Sequence, residues 1–290
     1  MTDPAAEEAL FNALAWALPQ RLSGLRDGAH AGRSRGAGGA FAGLAPLMAA
    51  PDARRLDLRR SLSDPFGGFY IRRFERPTDL TLHLMLDCSA SLSAGARADK
   101  QGLAALLCGG LAQAAARGGD RAALQAIAGD QAALDEPASR RPGLGPLWRE
   151  AVLGLRPSGH GITGLRDRLQ ALPARRLLIV LISDFELTPD ELRALLTAAG
   201  ERPLLAIWLR DSGLEQPEPR LGLTALRDPE SGRRRVMLTH RAWARREAGA
   251  AAERRAELRA LFQSFGRRPI EVTDSIAAEA LIEAFAEVRL

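Results

Sequence analysis

The sequence predicts an α/β fold: a doubly wound, mostly parallel sheet with helices on both faces. Three observations predict it. Strongly apolar runs of strand length recur at 80–87, 175–184 and 202–211, stretches with apolar residues every three or four positions lie between them, and the runs end on aspartates. Unbroken apolar runs belong to strands buried on both faces, and their alternation with helices belongs to parallel crossover units.

Along the chain, residues 4–18 read as a helix, with Asp3 as cap and Pro4 in the first turn. Residues 23–52 are rich in Gly and Ala without periodicity and read as a long loop. Residues 53–76 suggest two short extended pieces around the turn Asp64–Gly68. Residues 1–78 are therefore expected to form an N-terminal helix, a loop and an arginine-rich β-hairpin arm packed on a main domain at 79–290.

In the main domain, the strand LTLHLMLD (80–87) is followed by a helix over 97–117 and a second strand over 121–128. Helical pieces follow near 144–154 and 164–172, and RRLLIVLISD (175–184) is the strongest buried strand of the sequence. It leads into a helix at 189–199, with Thr188 as N-cap and Pro189 at its first position. The strand at 202–211 precedes an irregular insertion at about 212–240, which carries a candidate hairpin turning at DPESG. A long helix (241–265), a short strand (269–272) and a last helix (276–288) close the chain.

Composition narrows the function. With 290 residues, 46% of them hydrophobic, the chain can bury a core without disulfides or structural metals. Its two cysteines, Cys88 and Cys108, lie in small or apolar surroundings and read as reduced core residues. The four histidines are scattered, which argues against zinc. The N-terminus starts acidic, and no basic segment is followed by a long apolar core, so a soluble cytoplasmic protein without a membrane span is expected.

The net charge is +5, and Lys100 is the only lysine. Arginine clusters at 21–80, with eleven against six acidic residues, and at 227–268, with twelve against five. Such faces suit nucleic acid, an anionic surface or an acidic protein. Few aromatics are interleaved with them. A solvated surface or an acidic protein partner is therefore preferred over nucleic acid.

The chemistry lies where the strands end. Ligands of open α/β sheets gather at the carboxyl ends of strands, where strand order reverses. Two of the strongest strands stop at Asp87 and Asp184, which parallel neighbours would bring to one rim. After Asp87 the sequence reads D-x-S-x-S, with Ser89 and Ser91 on the same side of an extended loop. Thr163 follows a glycine-rich loop, PSGHGIT, just before a helix. Each feature alone also fits an ordinary capped turn or helix start.

Together, Asp87, Ser89, Ser91, Thr163 and Asp184 resemble the metal-ion-dependent adhesion site of von Willebrand factor A-like domains, with all five positions filled. The resemblance implies that the serines ligate directly, that Thr163 joins them, and that the aspartates act through water. It implies Mg²⁺, or another hard divalent cation such as Mn²⁺ or Ca²⁺, with one coordination position kept for an acidic residue of a partner.

The segment RRLDLRRSLSDPFGGFYIRRFE, then LTLHLMLDCSASL, LISDFE and LRDPESG, is similar to the family called domain of unknown function 58. Leu58 departs from that pattern, which usually has tryptophan there, and GGAF stands where a glutamate is common. The family implies a partner of the MoxR-type AAA+ ATPase class and a non-enzymatic, chaperone-like role in maturing or loading metal into a client enzyme. A compact branch, the MxaS proteins of methanol-oxidation gene clusters, implies methanol dehydrogenase as that client.

Two other classes compete. A metal-dependent hydrolase of the haloacid-dehalogenase type needs D-x-D, and position 89 is Ser. The sequence also has no G-x-x-x-x-G-K-[ST] loop and no G-x-S-x-G elbow. The third class is an arginine-rich binder of nucleic acid or an anionic surface. Its affinity would fall steeply with salt.

Overall fold

The computed structural model describes residues 40–49, 56–75, 81–173, 177–218, 221–227 and 234–287. They fall in two compact units, one holding the described residues of 40–75 and the other those of 81–287. The helix expected over 4–18 lies outside the described residues.

The smaller unit contains β1 (Ala40–Pro46), α1 (Leu58–Leu62) and β2 (Tyr70–Glu75), with β1 and β2 paired antiparallel. The arm is thus a ribbon, but its first strand comes from the segment read as loop. The run AFAGLAP is too rich in Ala and Gly to show alternation. Of the stretch read as extended, 58–62 is helical because the Asp57 carboxylate caps it, accepting the Arg60 N–H at 3.0 Å. The turn at Asp64–Gly68 forms as expected. The Gly68 N–H donates to Asp64 Oδ2 at 2.8 Å, and Gly67 takes a φ of 69° that side chains disfavour.

The larger unit begins with β3 (Thr81–Asp87), α2 (Lys100–Arg117) and β4 (Arg121–Ala128). There follow β5 (Gln131–Ser139), α3 (Leu144–Leu153), α4 (Thr163–Ala171), β6 (Leu177–Ser183), α5 (Pro189–Ala199) and β7 (Leu204–Arg210). Next come α6 (Ser212–Glu215), the antiparallel pair β8 (Gly222–Arg227) and β9 (Arg234–Thr239), α7 (Arg241–Ser264), β10 (Ile270–Thr273) and α8 (Ala278–Glu287). The turn expected at DPESG lies outside the described residues. The Thr188 N-cap expected at α5 is present, and Glu191 completes it as a capping box: the Thr188 hydroxyl accepts the Glu191 N–H at 3.3 Å, and the Glu191 carboxylate accepts the Thr188 N–H at 2.8 Å.

Six strands form one sheet in the order β10–β7–β6–β3–β4–β5, parallel throughout except for β4 against β5. β5 has no counterpart in the sequence reading. It is an exposed edge carrying Asp135, Glu136 and Pro137, a composition that an edge strand tolerates and that hides it from an apolarity-based reading.

β6 is buried at all seven positions, and its alternate side chains serve opposite faces. Leu178, Val180 and Ile182 pack with Leu107 of α2, Trp148 of α3 and Phe285 of α8. Leu177, Ile179 and Leu181 pack with Leu169 of α4, Leu195 of α5 and Phe262 of α7. Burying each such side chain stabilises the fold by roughly 1.5–3 kcal/mol. The sheet is therefore doubly wound, as the sequence predicts. From β3 the chain steps to β4 on one side and later returns to β6 on the other, so the order reverses at the carboxyl ends of β3 and β6.

Candidate metal centre

Asp87 ends β3, and Asp184 directly follows β6, the strand hydrogen-bonded beside it. Both are 4% exposed. Ser89 and Ser91, each 6% exposed, lie in the loop after β3, where residues 90–93 form a single 3-10 turn. The side chains connect in a chain: the Ser89 and Ser91 hydroxyls are 3.0 Å apart, and Ser91 donates to Asp184 Oδ1 at 3.1 Å. On the other side, Asp87 Oδ1 accepts the Ser89 N–H at 3.0 Å, and Asp87 Oδ2 accepts the Ser183 hydroxyl at 2.7 Å. Four of the five expected residues are thus brought together.

Thr163 stands apart from that chain. It is exposed at the first position of α4, and among the described residues no hydrogen bond joins its hydroxyl to the other four. Its loop nevertheless lies against theirs. The Ser158 N–H donates to the Cys88 carbonyl at 3.0 Å, and the Ala90 N–H donates to the Gly159 carbonyl at 3.0 Å. The start of α4 also packs closely on the turn between β4 and β5, where a Cβ on Gly164 would lie 2.6 Å from the Gly129 carbonyl oxygen.

Burial, and then the neighbouring Asp184 carboxylate, push the Asp87 carboxyl up to about 6, against the opposing pull of its Ser183 and Ser89 hydrogen bonds. The pair is short of positive charge. The sequence reading did not place the group that supplies it. Lys100, 4% exposed, donates from Nζ to Asp184 Oδ2 at 2.6 Å and to the Ser91 carbonyl at 2.7 Å. Its signal was available: one lysine among 40 basic residues, at the start of a helix.

Further residues aim this loop. After Asp184 the chain turns through Phe185, whose φ of 46° is left-handed and costly for a residue with a Cβ. The fully buried ring holds it there, edge-on to Phe262 at 5.3 Å and to Trp208 at 6.2 Å. Trp208 also donates to the Asp184 carbonyl at 2.9 Å. Asp211, after β7, holds the far side of the serine loop. Its Oδ2 accepts the N–H groups of Ala96, Arg97 and Ala98 at 2.7, 2.9 and 2.9 Å, and its Oδ1 accepts those of Gly213 and Leu214 at 2.7 and 3.1 Å.

The donor set is two carboxylates and two hydroxyls, all hard oxygens, which suits Mg²⁺, Mn²⁺ or Ca²⁺ and not a soft metal. Among the described residues no group of three or more His, Cys, Asp and Glu is gathered to hold a metal, so a cation here depends on the serines. The feature compatible with one is the linked set of two carboxylates and two hydroxyls at one rim. The cysteines do not contribute: burial, with Asp87 nearby, pushes the Cys88 thiol up to about 11, and burial pushes Cys108 up to about 12.

A protein of Paracoccus denitrificans, described as an uncharacterized protein in the moxR 3′ region, is 56% identical over 101 residues, which is 35% of this chain and 96% of that protein. Among solved structures, the chain is similar to the conserved hypothetical protein BatB from Bacteroides thetaiotaomicron, at 15% identity and a TM-score of 0.43, over 72% of this chain and 98% of that one. It is also similar to an aerotolerance-related membrane protein from Bacteroides fragilis, at 17% identity and a TM-score of 0.46, over 71% and 96%. The family model described as protein of unknown function DUF58 matches residues 50–258, most of the length of the chain, which therefore belongs to that family.

Proposed function

We propose that the chain is a non-enzymatic, metal-dependent protein-binding adaptor of von Willebrand factor A-like type that works with a MoxR-type AAA+ ATPase. The observation that carries the reading is the joined set Asp87, Ser89, Ser91 and Asp184 at the switch point of the sheet. These residues would hold a Mg²⁺ ion, or Mn²⁺ or Ca²⁺, with Thr163 from the adjoining loop. The bound ion would supply an open coordination position for a carboxylate of the partner or client protein. Asp87 and Asp184 position the serines by hydrogen bonds, and Asp211 and Phe185 keep both loops in place.

The link to the ATPase rests on the moxR-region relative. In this reading the client is an enzyme that receives a metal or is matured, with methanol dehydrogenase the first to test. The working place is the cytoplasm, where such an ATPase meets ATP. Among the described residues no helix is long and apolar enough to cross a membrane.

The arginine surface fits an accessory role better than nucleic-acid binding. Several of its members already face carboxylates, among them Arg72 with Asp57 at 2.8 Å, Arg254 with Glu186 at 3.2 Å and Arg255 with Glu215 at 3.5 Å. Local neutralisation of this kind lowers the field available to a polyanion.

The test is binding of the full chain to the MoxR-type ATPase of the same genome, in MgCl₂ and in EDTA, with Asp87→Ala beside wild type. Binding should require the metal, and Asp87→Ala should abolish it while circular dichroism stays native. Wild-type binding by Asp87→Ala, or binding indifferent to EDTA but lost in salt, refutes the adaptor and favours the arginine surface.

A further inference from the structure

The only lysine of the chain is spent inside the candidate centre. Its ammonium carries three donors, and two of them bind Asp184 Oδ2 and the Ser91 carbonyl, both parts of the cation-binding set. Among the described residues no other cationic side chain bonds Asp87 or Asp184. The Asp99 side chain caps α2 by accepting the Gly102 N–H at 2.9 Å, which fixes the start of the helix from which Lys100 reaches inward.

We propose that Lys100 is a built-in counter-ion that competes with the divalent cation for Asp184 and so sets the affinity of the centre. The inference rests on the metal-binding reading above. Two carboxylates alone would present a charge of −2 to an arriving ion. With the ammonium in place they present −1, and the ion must also displace a bond at Asp184 Oδ2. Among side chains only 4–6% exposed, where charges are less screened than in water, one such charge weighs heavily on affinity. A resident lysine therefore keeps the site assembled without metal and makes loading conditional on metal concentration. A wholly acidic site would instead stay loaded.

The experiment is calorimetric titration of the full chain with MnCl₂ and with MgCl₂, comparing wild type, Lys100→Gln and Lys100→Arg. Glutamine removes the charge but keeps an N–H donor on a flexible stem, whereas arginine keeps the charge. Lys100→Gln should bind at least about tenfold more tightly than wild type, and Lys100→Arg should stay within about threefold of it. Equal or weaker binding by Lys100→Gln overturns the role of Lys100 and leaves the metal reading standing. No binding of either ion to wild type or Lys100→Gln up to about 10 mM overturns both, since even weak oxygen sites fill at that concentration. Should Lys100→Gln fail to fold, wild type labelled with ¹³C-lysine gives one lysine signal, and MgCl₂ must shift it with the calorimetric Kd. A signal that does not move overturns the proposal.

Discussion

Replacing Asp211 by Asn changes one atom and should cost about 2–4 kcal/mol of stability. In the native protein both carboxylate oxygens are in use: three N–H groups of the serine loop point at Oδ2, and two of α6 point at Oδ1. Asparagine has one acceptor oxygen, so its NH₂ must face either two or three N–H donors. Each amide left unpaired in a side chain only 3% exposed costs roughly 1–3 kcal/mol, and the bonds that remain lose their charge assistance. Water reaching the loop at Ala96 and Arg97, both exposed residues, recovers part of this, which gives the smaller total. Burial pushes the Asp211 carboxyl up, but the Arg97, Ala98, Ala96 and Leu214 amides outweigh it and hold the group below the usual 3.8. A depressed carboxyl stabilises above its unfolded pKa, so this contribution is present above about pH 4 and is lost as pH falls through the folded value. Urea unfolding at pH 7 and pH 3 measures both effects. A loss below about 1 kcal/mol at pH 7, or an equal loss at pH 3, would refute the clamp.

Asp87 should respond to pH in the opposite direction. With its carboxyl raised from 3.8 to about 6, the folded state holds a proton between about pH 4 and 6 that the unfolded chain has released, so metal-free stability should rise as pH falls through 6. The ionised group costs about 3 kcal/mol at pH 7, so Asp87→Asn in EDTA should gain up to that amount, less about 1 kcal/mol because the Ser183 hydroxyl must turn to accept the new NH₂. A flat urea profile from pH 7 to 5 counts against this. Phe185→Ala should lose about 3–5 kcal/mol, because the ring that pays for a left-handed backbone leaves a cavity against Trp208 and Phe262. Thermal melts would show it, and a Tm within a degree or two of wild type contradicts it.

Much of this was legible in the sequence because the signals were apolar and local. The run LLIVLIS of β6 is buried at every position, and no reading other than a central strand fits it. Thr188 and Pro189 announced the start of α5 as its cap and first helical residue. What stayed hidden was set by long-range pairing. β1 is a strand only because Tyr70–Glu75 offers it a partner, and β5 is a polar edge whose stability comes from β4. Within the centre, Asp87, Ser89, Ser91 and Asp184 were readable as strand ends and spacing. Lys100 lies 84 positions from Asp184, and no local pattern couples them.

Three strands end in aspartate on one rim, and the fold gives each a different electrostatic role. Asp211 is satisfied by amides, Asp184 is paired with Lys100, and Asp87, held only by Ser89 and Ser183, is the one left wanting positive charge. Exchange of acid for amide at each position therefore separates the three roles by sign. Asp184→Asn strands the Lys100 ammonium, 4% exposed, without its anion and should lose about 3–5 kcal/mol, as broken buried pairs do. Asp211→Asn loses stability without exposing a charge, and Asp87→Asn gains it. Only the Asp184→Asn loss should shrink when Lys100→Met is added, because that double change removes both charges, while the same addition leaves the Asp211→Asn loss unaltered. If all three exchanges shift the urea midpoint in the same direction, or if Lys100→Met deepens the Asp184→Asn defect, the charge assignments within the centre are wrong.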